Sequence, residues 1–256
     1  MRLTLLGTGT SMGVPVIGCT CDVCQSDDIR DKKLRISAWL EIEGKHILID
    51  ASPDFRQQAL VNKLPRVDAV LLTHEHRDHI GGLDDLRPFN FYQQQYISIH
   101  GLERVCEEVK MAYGYIFNSN YPGIPLLSLE HLNFDQPFQL LGIQEQFIPI
   151  RVMHGELPIL GYRVGKLAFL TDVKYLEESE LAKLQNLDVL VSSALHHEPH
   201  YSHNTLAEAI ELATKIGAKQ TYFIHTSHHV GKYATVQASL PPNMYLAYDG
   251  LSLDIY

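Results

Sequence analysis

The chain has 256 residues, 45% of them hydrophobic and 20% charged, with 17 Gly and 12 Pro. This is the composition of an ordinary globular protein rather than a disordered, collagenous or membrane one. Twenty-one Lys and Arg against 30 Asp and Glu give a formal net charge of −9 and a pI near 5.8. Nucleic-acid binding is dominated by phosphate neutralisation, so this balance argues against a broad nucleic-acid surface while leaving room for a small basic pocket.

The opening MRLTLLGTGTS carries one positive residue and too short an apolar stretch for a signal-peptide core of roughly 7–15 residues. No apolar run approaches the roughly 18 residues of a membrane span, so the cytoplasm is the expected compartment. In chain order, a strand is expected at Leu3 to Leu6, then a loop with Gly7, Gly9, Gly13, Pro15 and Gly18 leading into a cysteine cluster. Ser37 to Ile42 and His46 to Ile49 flank Glu43-Gly44-Lys45 and read as an antiparallel hairpin. A helix is expected from Pro53 to about Lys63, then a buried strand at Ala69 to Leu72. Further strands are expected at Tyr96 to Ile99, Gln139 to Ile143, Gln146 to Met153, Leu160 to Val164, Leu167 to Leu170, Val189 to Val191, Thr221 to Ile224 and Leu251 to Ile255. Helices are expected at Leu102 to Met111, around Leu176 to Leu184, and at Thr205 to Ile216, where apolar residues recur at helical spacing until Gly217. Hairpins mixed with helical crossovers suit two packed sheets with helices outside them. No repeat, low-complexity tract or linker divides the chain, so residues 1–256 are read as one domain.

Chemistry concentrates in two residue types. Cys19, Cys21 and Cys24 are too crowded for a disulfide framework and point to metal, while Cys106 stands alone. The 14 histidines fall largely in groups, at 74, 76 and 79, at 196, 197, 200 and 203, and at 225, 228 and 229. Directly after the buried strand comes Thr73-His74-Glu75-His76-Arg77-Asp78-His79. His-x-His puts two imidazoles on one side of an extended segment, and the Asp-His pair in the following turn can face a second ion.

This motif is similar to the signature of the metallo-β-lactamase fold superfamily, hydrolases with a four-layer αβ/βα sandwich and a metal pair at one edge of the sheets. The resemblance extends to Asp50 after an early strand, His154 in Arg151-Val152-Met153-His154-Gly155, Asp172 in Ala168-Phe169-Leu170-Thr171-Asp172, and His225 in Tyr222-Phe223-Ile224-His225. It implies one ion on His74, His76 and His154 and another on Asp78, His79 and His225, bridged by Asp172. Imidazole and carboxylate donors suit Zn²⁺, Mn²⁺ or Fe, and two ions about 3.5–4 Å apart share a hydroxide. Asp50 is read as a residue that orients ligands and backbone.

The fold hosts many reactions, so the branch rests on other residues. Three thiolates need a fourth ligand to close a zinc tetrahedron, and His228 is the first choice, with His229 the alternative. The Gly-rich opening, the Cys cluster, the His-x-His-x-Asp-His motif and the late His-x-x-His together resemble the phosphoribosyl 1,2-cyclic phosphodiesterase family of bacterial phosphonate breakdown. That resemblance implies a structural zinc on Cys19, Cys21, Cys24 and His228, and a phosphate-assisting His203 ahead of the helix from Thr205. A helix N-terminus with free N–H groups would suit phosphate there. His196, His197 and His200 read as loop residues without a role.

The expected reaction is in-line attack by a metal-bridging hydroxide on a small cyclic phosphodiester, with His203 assisting the leaving oxygen. Alternatives are a tRNA 3′-processing endonuclease, a non-catalytic cofactor-biosynthesis carrier of the same fold, and a thiolesterase or lactamase. Residues 89 to 121 hold eight aromatics, Phe89, Phe91, Tyr92, Tyr96, Tyr113, Tyr115, Phe117 and Tyr121, and read in part as an insertion over the metal site or a subunit contact. That segment and the family resemblance suggest a homodimer.

Overall fold

Short apolar runs become strands in the computed structural model, which describes residues 1–117 and 123–256. The chain forms β1 (Arg2–Gly7), β2 (Ser37–Ile42), β3 (Lys45–Ile49), β4 (Ala69–Leu71), β5 (Ile97–Leu102) and β6 (Leu127–Leu132). It continues with β7 (Phe147–His154), β8 (Leu157–Val164), β9 (Leu167–Leu170), β10 (Val189–Ser193), β11 (Gln220–Ile224), β12 (Met244–Leu246) and β13 (Leu251–Asp254). One sheet runs β13-β1-β2-β3-β4-β5-β6 and the other β12-β11-β10-β9-β8-β7. The β2–β3 hairpin is antiparallel, as expected. Its turn residues Glu43 and Gly44 have φ of 47° and 73°, the left-handed backbone a two-residue hairpin requires.

Strands β3 to β6 are mutually parallel, and so are β9 to β12. Parallel strands need crossovers, and these supply α1 (Phe55–Val61), α2 (Arg77–Ile80), α3 (Arg87–Gln93), α4 (Glu103–Ala112), α5 (Gly114–Phe117), α6 (Glu178–Ala182), α7 (Leu206–Ile216) and α8 (Tyr233–Ser239). α1 packs on β1 and α4 on β5 and β6, while α7 packs on β10 and α8 on β12. Helices therefore cover the outer faces of two stacked sheets, the α/β metallo-β-lactamase sandwich.

The alternation in β9 shows how one strand serves two cores. Leu167 and Phe169 join Leu3, Leu40, Leu48, Phe147 and Tyr162 between the sheets. Ala168 and Leu170 join Ile150, Val152 and Leu190 beneath Leu206, Ala209, Ala213 and Ile216 of α7. Each large apolar side chain buried this way is worth about 1.5–3 kcal/mol, and together they fix the strand ends from which the site projects. None of the described helices is long and apolar enough to cross a membrane.

The expected strand at Gln139 to Ile143 is a turn instead. Leu141 and Gly142 are both left-handed, with φ of 55° and 77°, and Ile143 N donates to Leu140 O at 3.0 Å. Leu140 and Ile143 are buried, so the apolar run fills the core without joining a ladder. Strands β6 and β12 and helices α3 and α8 form where no element was expected. Of the aromatic-rich segment, Phe91, Tyr92 and Tyr96 are exposed while Tyr113 is buried. Tyr121 lies outside the described residues, as do Asn118, Asn120 and Pro122.

Candidate active site

Three strands end in a residue that leaves the sheet in the left-handed conformation: Asp50 after β3, Asp172 just beyond β9 and His225 after β11, with φ of 58°, 53° and 54°. Non-glycine residues seldom adopt this backbone, and here it turns three polar side chains toward one edge. The loop after β4 delivers His74 and His76 to the same edge, α2 delivers Asp78 and His79, and β7 delivers His154.

Hydrogen bonds fix which imidazole nitrogen faces inward. The Asp50 carboxylate, fully buried, accepts from Thr73 N at 2.8 Å, from Thr73 Oγ1 at 2.8 Å and from His79 Nδ1 at 2.7 Å. Thr73 has a single hydroxyl proton and gives it to Asp50, so it accepts from His74 Nδ1 at 3.0 Å. His154 Nδ1 donates to Ser202 O at 2.9 Å. The Nε2 atoms of His74, His79 and His154 are thereby turned inward, the arrangement that metal-binding histidines share.

Donor atoms of His74, His76 and His154 lie within 4.8 Å of one another, and so do those of Asp78, His79 and His225. Asp172 sits between the sets: it groups with His74 and His79, and its oxygens are 3.4 Å from both His79 Nε2 and His225 Nε2. Thr171 Oγ1 donates to Asp172 at 2.5 Å. His79 Nε2 is buried without a hydrogen-bond partner, although it lies 3.3 Å from Asp78 and 3.4 Å from Asp172. A buried nitrogen facing carboxylates but bonded to none suits a shared cation.

Electrostatics agrees. Burial works against a protonated His79, yet the carboxylates of Asp78, Asp172 and Asp50 together hold it well above the usual histidine value. Burial likewise opposes ionisation of Asp172, but His225, His79 and His74 keep it below the ordinary carboxylate range. Burial, with His79 alongside, pulls His74 well below the usual histidine value. The centre thus stabilises positive charge at its middle.

The second cluster stands apart. The Sγ atoms of Cys19, Cys21 and Cys24 lie 3.4, 3.3 and 3.5 Å from His228 Nδ1. His228 rather than His229 completes this group, and the four donor atoms fit one ion. The backbone of Cys24 and the His228 ring pull the Cys21 thiol down to about 6, whereas burial pushes Cys24 up to about 11.

His203 lines the same cavity of about 380 Å³ as the active-site cluster. Its ring stacks on His225 at 5.1 Å and meets His154 edge-on at 4.6 Å. Its Nδ1 lies 3.7 Å from Asp172 Oδ1. Burial lowers its pKa to about 3, with Asp172 opposing. The expected free helix N-terminus beside it is absent. Thr205 and Glu208 close a capping box, with Glu208 N donating to Thr205 Oγ1 at 3.1 Å, and Leu206 N donates to His196 O at 2.8 Å. The amides of Leu206 and Glu208 in the first turn of α7 are therefore occupied.

Sequence reasoning passed over Thr73, Thr171 and Ser202, whose groups orient the histidines and Asp172. A hydroxyl residue directly before a strand-end His or Asp was the available signal for the first two. It also left His196 and His200 without a place. Both line the cavity, as does His229, while His197 turns away and bonds Val230 O at 2.9 Å.

Residues 45–226 match the model of the beta-lactamase superfamily domain. A Porphyromonas gingivalis protein named octanoyltransferase is 44% identical over 254 residues, which is 98% of this chain but 51% of that protein. A coenzyme PQQ synthesis protein B from Xanthomonas axonopodis pv. citri is 30% identical over 158 residues, 56% of this chain and 50% of that protein. The chain spans about half the length of these curated relatives. Among solved structures, a diphosphatase from the PhnP family superposes with a TM-score of 0.93 at 40% identity, covering 100% of this chain and 98% of that one. Zn²⁺-bound PqqB from Methylobacterium extorquens gives 0.79 at 20%, with both chains covered in full, a likeness of fold. With most of its length inside that family model and its strand-end donors gathered at one edge of two stacked sheets, the chain belongs to the metallo-β-lactamase superfamily.

Proposed function

We propose that this chain is a single-domain hydrolase of the PhnP family, a dinuclear metal-dependent phosphodiesterase that opens a small cyclic phosphodiester of the phosphoribosyl 1,2-cyclic phosphate kind. One observation carries the reading: the Asp172 carboxylate lies between two complete donor sets, within 3.4 Å of His79 and His225 and grouped with His74. His74, His76 and His154 would hold one zinc or manganese ion, Asp78, His79 and His225 the other, and Cys19, Cys21, Cys24 and His228 a structural zinc. When bound, the active-site pair supplies Lewis acidity to the phosphoryl oxygens and activates water.

The chain's own groups do the rest. Asp50 and Thr73 hold His79 and His74 in one tautomer. Asp78 and Asp172 keep the centre anionic enough for two dications, and Asp78 borders the cavity where a diester would lie. His203, kept neutral by burial, donates an N–H to an ester oxygen. An anionic phosphoryl group beside it favours its protonated form and lets it pass that proton to the departing alkoxide. The transferase name belongs to a Porphyromonas gingivalis protein of which this chain covers 51%, and it is not carried over to this cavity. The net charge of −9 disfavours an RNA substrate.

The test is phosphorus NMR of the zinc- or manganese-reconstituted protein with 5-phosphoribosyl 1,2-cyclic phosphate, beside 2′,3′- and 3′,5′-cyclic nucleotides and a precursor tRNA. Selective opening of the ribosyl cyclic phosphate is expected. Turnover of generic diesters alone would remove the substrate assignment, and no turnover with both ions bound would favour a carrier. His203→Ala should lower kcat by about 10²–10⁴-fold with metal content retained; an unchanged kcat would remove its role.

A further inference from the structure

His74, His79 and His154 each carry a hydrogen bond that orients the ring, but among the described residues His76 has none of that kind. Its side chain is exposed, and its Nδ1 meets only His74 Nε2, at 2.9 Å, a contact between two donors of one metal set. The placing of His76 therefore depends on its backbone. On one side its carbonyl accepts from His79 N at 2.9 Å and from Ile80 N at 3.2 Å, which ties it to α2. On the other side stands Glu75, between the two histidines, and its side chain reaches α4. Arg104, in the first turn of α4, donates from Nε to Glu75 Oε1 at 3.0 Å and from Nη2 to Pro158 O at 2.7 Å. Pro158 pairs with Met153 across the β7–β8 hairpin, next to the pairing of Leu157 with His154. One guanidinium thus bonds both segments that supply His74, His76 and His154. Its planar fork holds two acceptors in a fixed geometry, so it sets how the loop sits against the hairpin. The second oxygen of Glu75 is buried with no hydrogen-bond partner among the described residues. Leaving such an oxygen unpaired is costly, so the pair is not arranged for its own stability.

We propose that Glu75 and Arg104 are positioning residues for the metal centre: they seat His76 against His154 and so set how tightly the ion on His74, His76 and His154 is kept. The inference rests on the dinuclear reading and adds residues to it. Both residues act through His76 and the hairpin. The other donor set has separate support, because Asp50 bonds His79 from a fully buried position. Cutting the Glu75–Arg104 brace therefore loosens one ion of the pair and spares its neighbour on Asp78, His79 and His225.

The experiment uses the manganese-loaded full chain as wild type, Arg104→Met, Arg104→Lys and the double variant Glu75→Gln with Arg104→Met, in which neither charge is left unpaired. Each protein is equilibrated with graded chelator, its metal content is counted, and electron paramagnetic resonance distinguishes a coupled manganese pair from a single ion. Arg104→Met should release one active-site ion at a chelator concentration lower by about ten-fold or more, with the coupled spectrum giving way to that of an isolated ion. Arg104→Lys, which keeps the charge but not the fork, should fall between Arg104→Met and wild type. The double variant should behave as Arg104→Met does, with a metal-free thermal midpoint close to that of wild type, because a partly exposed ion pair contributes little to stability. Release of the first ion at the wild-type chelator concentration would overturn the proposal. So would loss of both ions together, or a clearly lower metal-free midpoint in the double variant, since either marks a general loss of structure rather than a misplaced His76. A wild type that never shows the coupled pair would remove the dinuclear reading itself, and the brace with it.

Discussion

Asp50 does its work without entering the cavity. Its carboxylate takes three hydrogen bonds, two from Thr73 and one from His79, and its left-handed backbone turns the chain out of β3. Strained positions of this kind cost about 1–3 kcal/mol and persist where surroundings over-determine them. Asn tolerates the same backbone, so Asp50→Asn separates charge and acceptor capacity from conformation. His79 then loses the partner that fixes its Nδ1 proton. Affinity for active-site metal, read by competition with a chelator, should fall about 10–100-fold with the thermal midpoint little changed. Undiminished affinity would reduce Asp50 to a turn residue.

At the scale of elements, the site depends on how closely the loop after α2 approaches the end of β3. Gly82 N donates to Ala51 O at 2.8 Å, and Ala51 N donates to His79 O at 2.7 Å. A Cβ on Gly82 would stand 2.1 Å from Ser52 O. Gly82→Ala must therefore push the Asp50–Ser52 turn aside, an overpacking cost of about 1–3 kcal/mol. Urea unfolding should show that loss, and metal analysis a reduced active-site content; a variant with wild-type content would mean the turn moves without disturbing Asp50. This contact was invisible in the sequence, where Gly81-Gly82 reads only as a break. What was legible followed local rules. The run Ala69 to Leu72 ends in ligand-type residues because a strand buried on both faces is apolar until it reaches the edge. The Thr205 to Ile216 helix announced itself by spacing and by Gly217, left-handed at φ 71°. The Gln139 to Ile143 run misled because burial alone does not distinguish a strand from a core-filling turn. The free N-terminus of α7 misled because the Thr205 and Glu208 pair, three residues apart and legible as a capping box, was not weighed.

Across the whole molecule, one segment joins the two clusters. His225 faces the active site and His228 the cysteines, with Thr226 and Ser227 between them. Lys33 Nζ donates to Thr226 Oγ1 from a buried position, Thr226 N donates to Thr8 O at 3.2 Å, and Ser227 N donates to Leu195 O at 2.9 Å. Behind it, half-buried Asp249 accepts from Thr8 N at 2.9 Å, Thr8 Oγ1 at 2.8 Å and Leu34 N at 2.6 Å. Burial raises Asp249 to about 7 and lowers Lys33 to about 8. For Asp249 the folded state holds its proton more tightly than the unfolded chain, whose carboxylate titrates near about 4. Its contribution to stability is therefore fully present below about pH 4 and is lost as pH rises to about 7. Relative to Asp249→Asn, wild type should lose stability between pH 5 and 7.5 by an amount on the order of a few kcal/mol, read from urea midpoints; a constant difference would show that the carboxyl titrates normally. The same framework makes the cysteine cluster a clamp on the segment that ends in His225. Cys21 is exposed, so Cys21→Ser removes a thiolate without opening the core. Metal analysis after gentle purification should fall from three ions per chain to two, with a lower thermal midpoint and weaker retention of the ion shared by Asp78, His79 and His225. Two ions in both wild type and variant would dispose of the third site, whereas loss of one ion with an unchanged midpoint would mean that the wild type binds this zinc without its being mechanically coupled to His225.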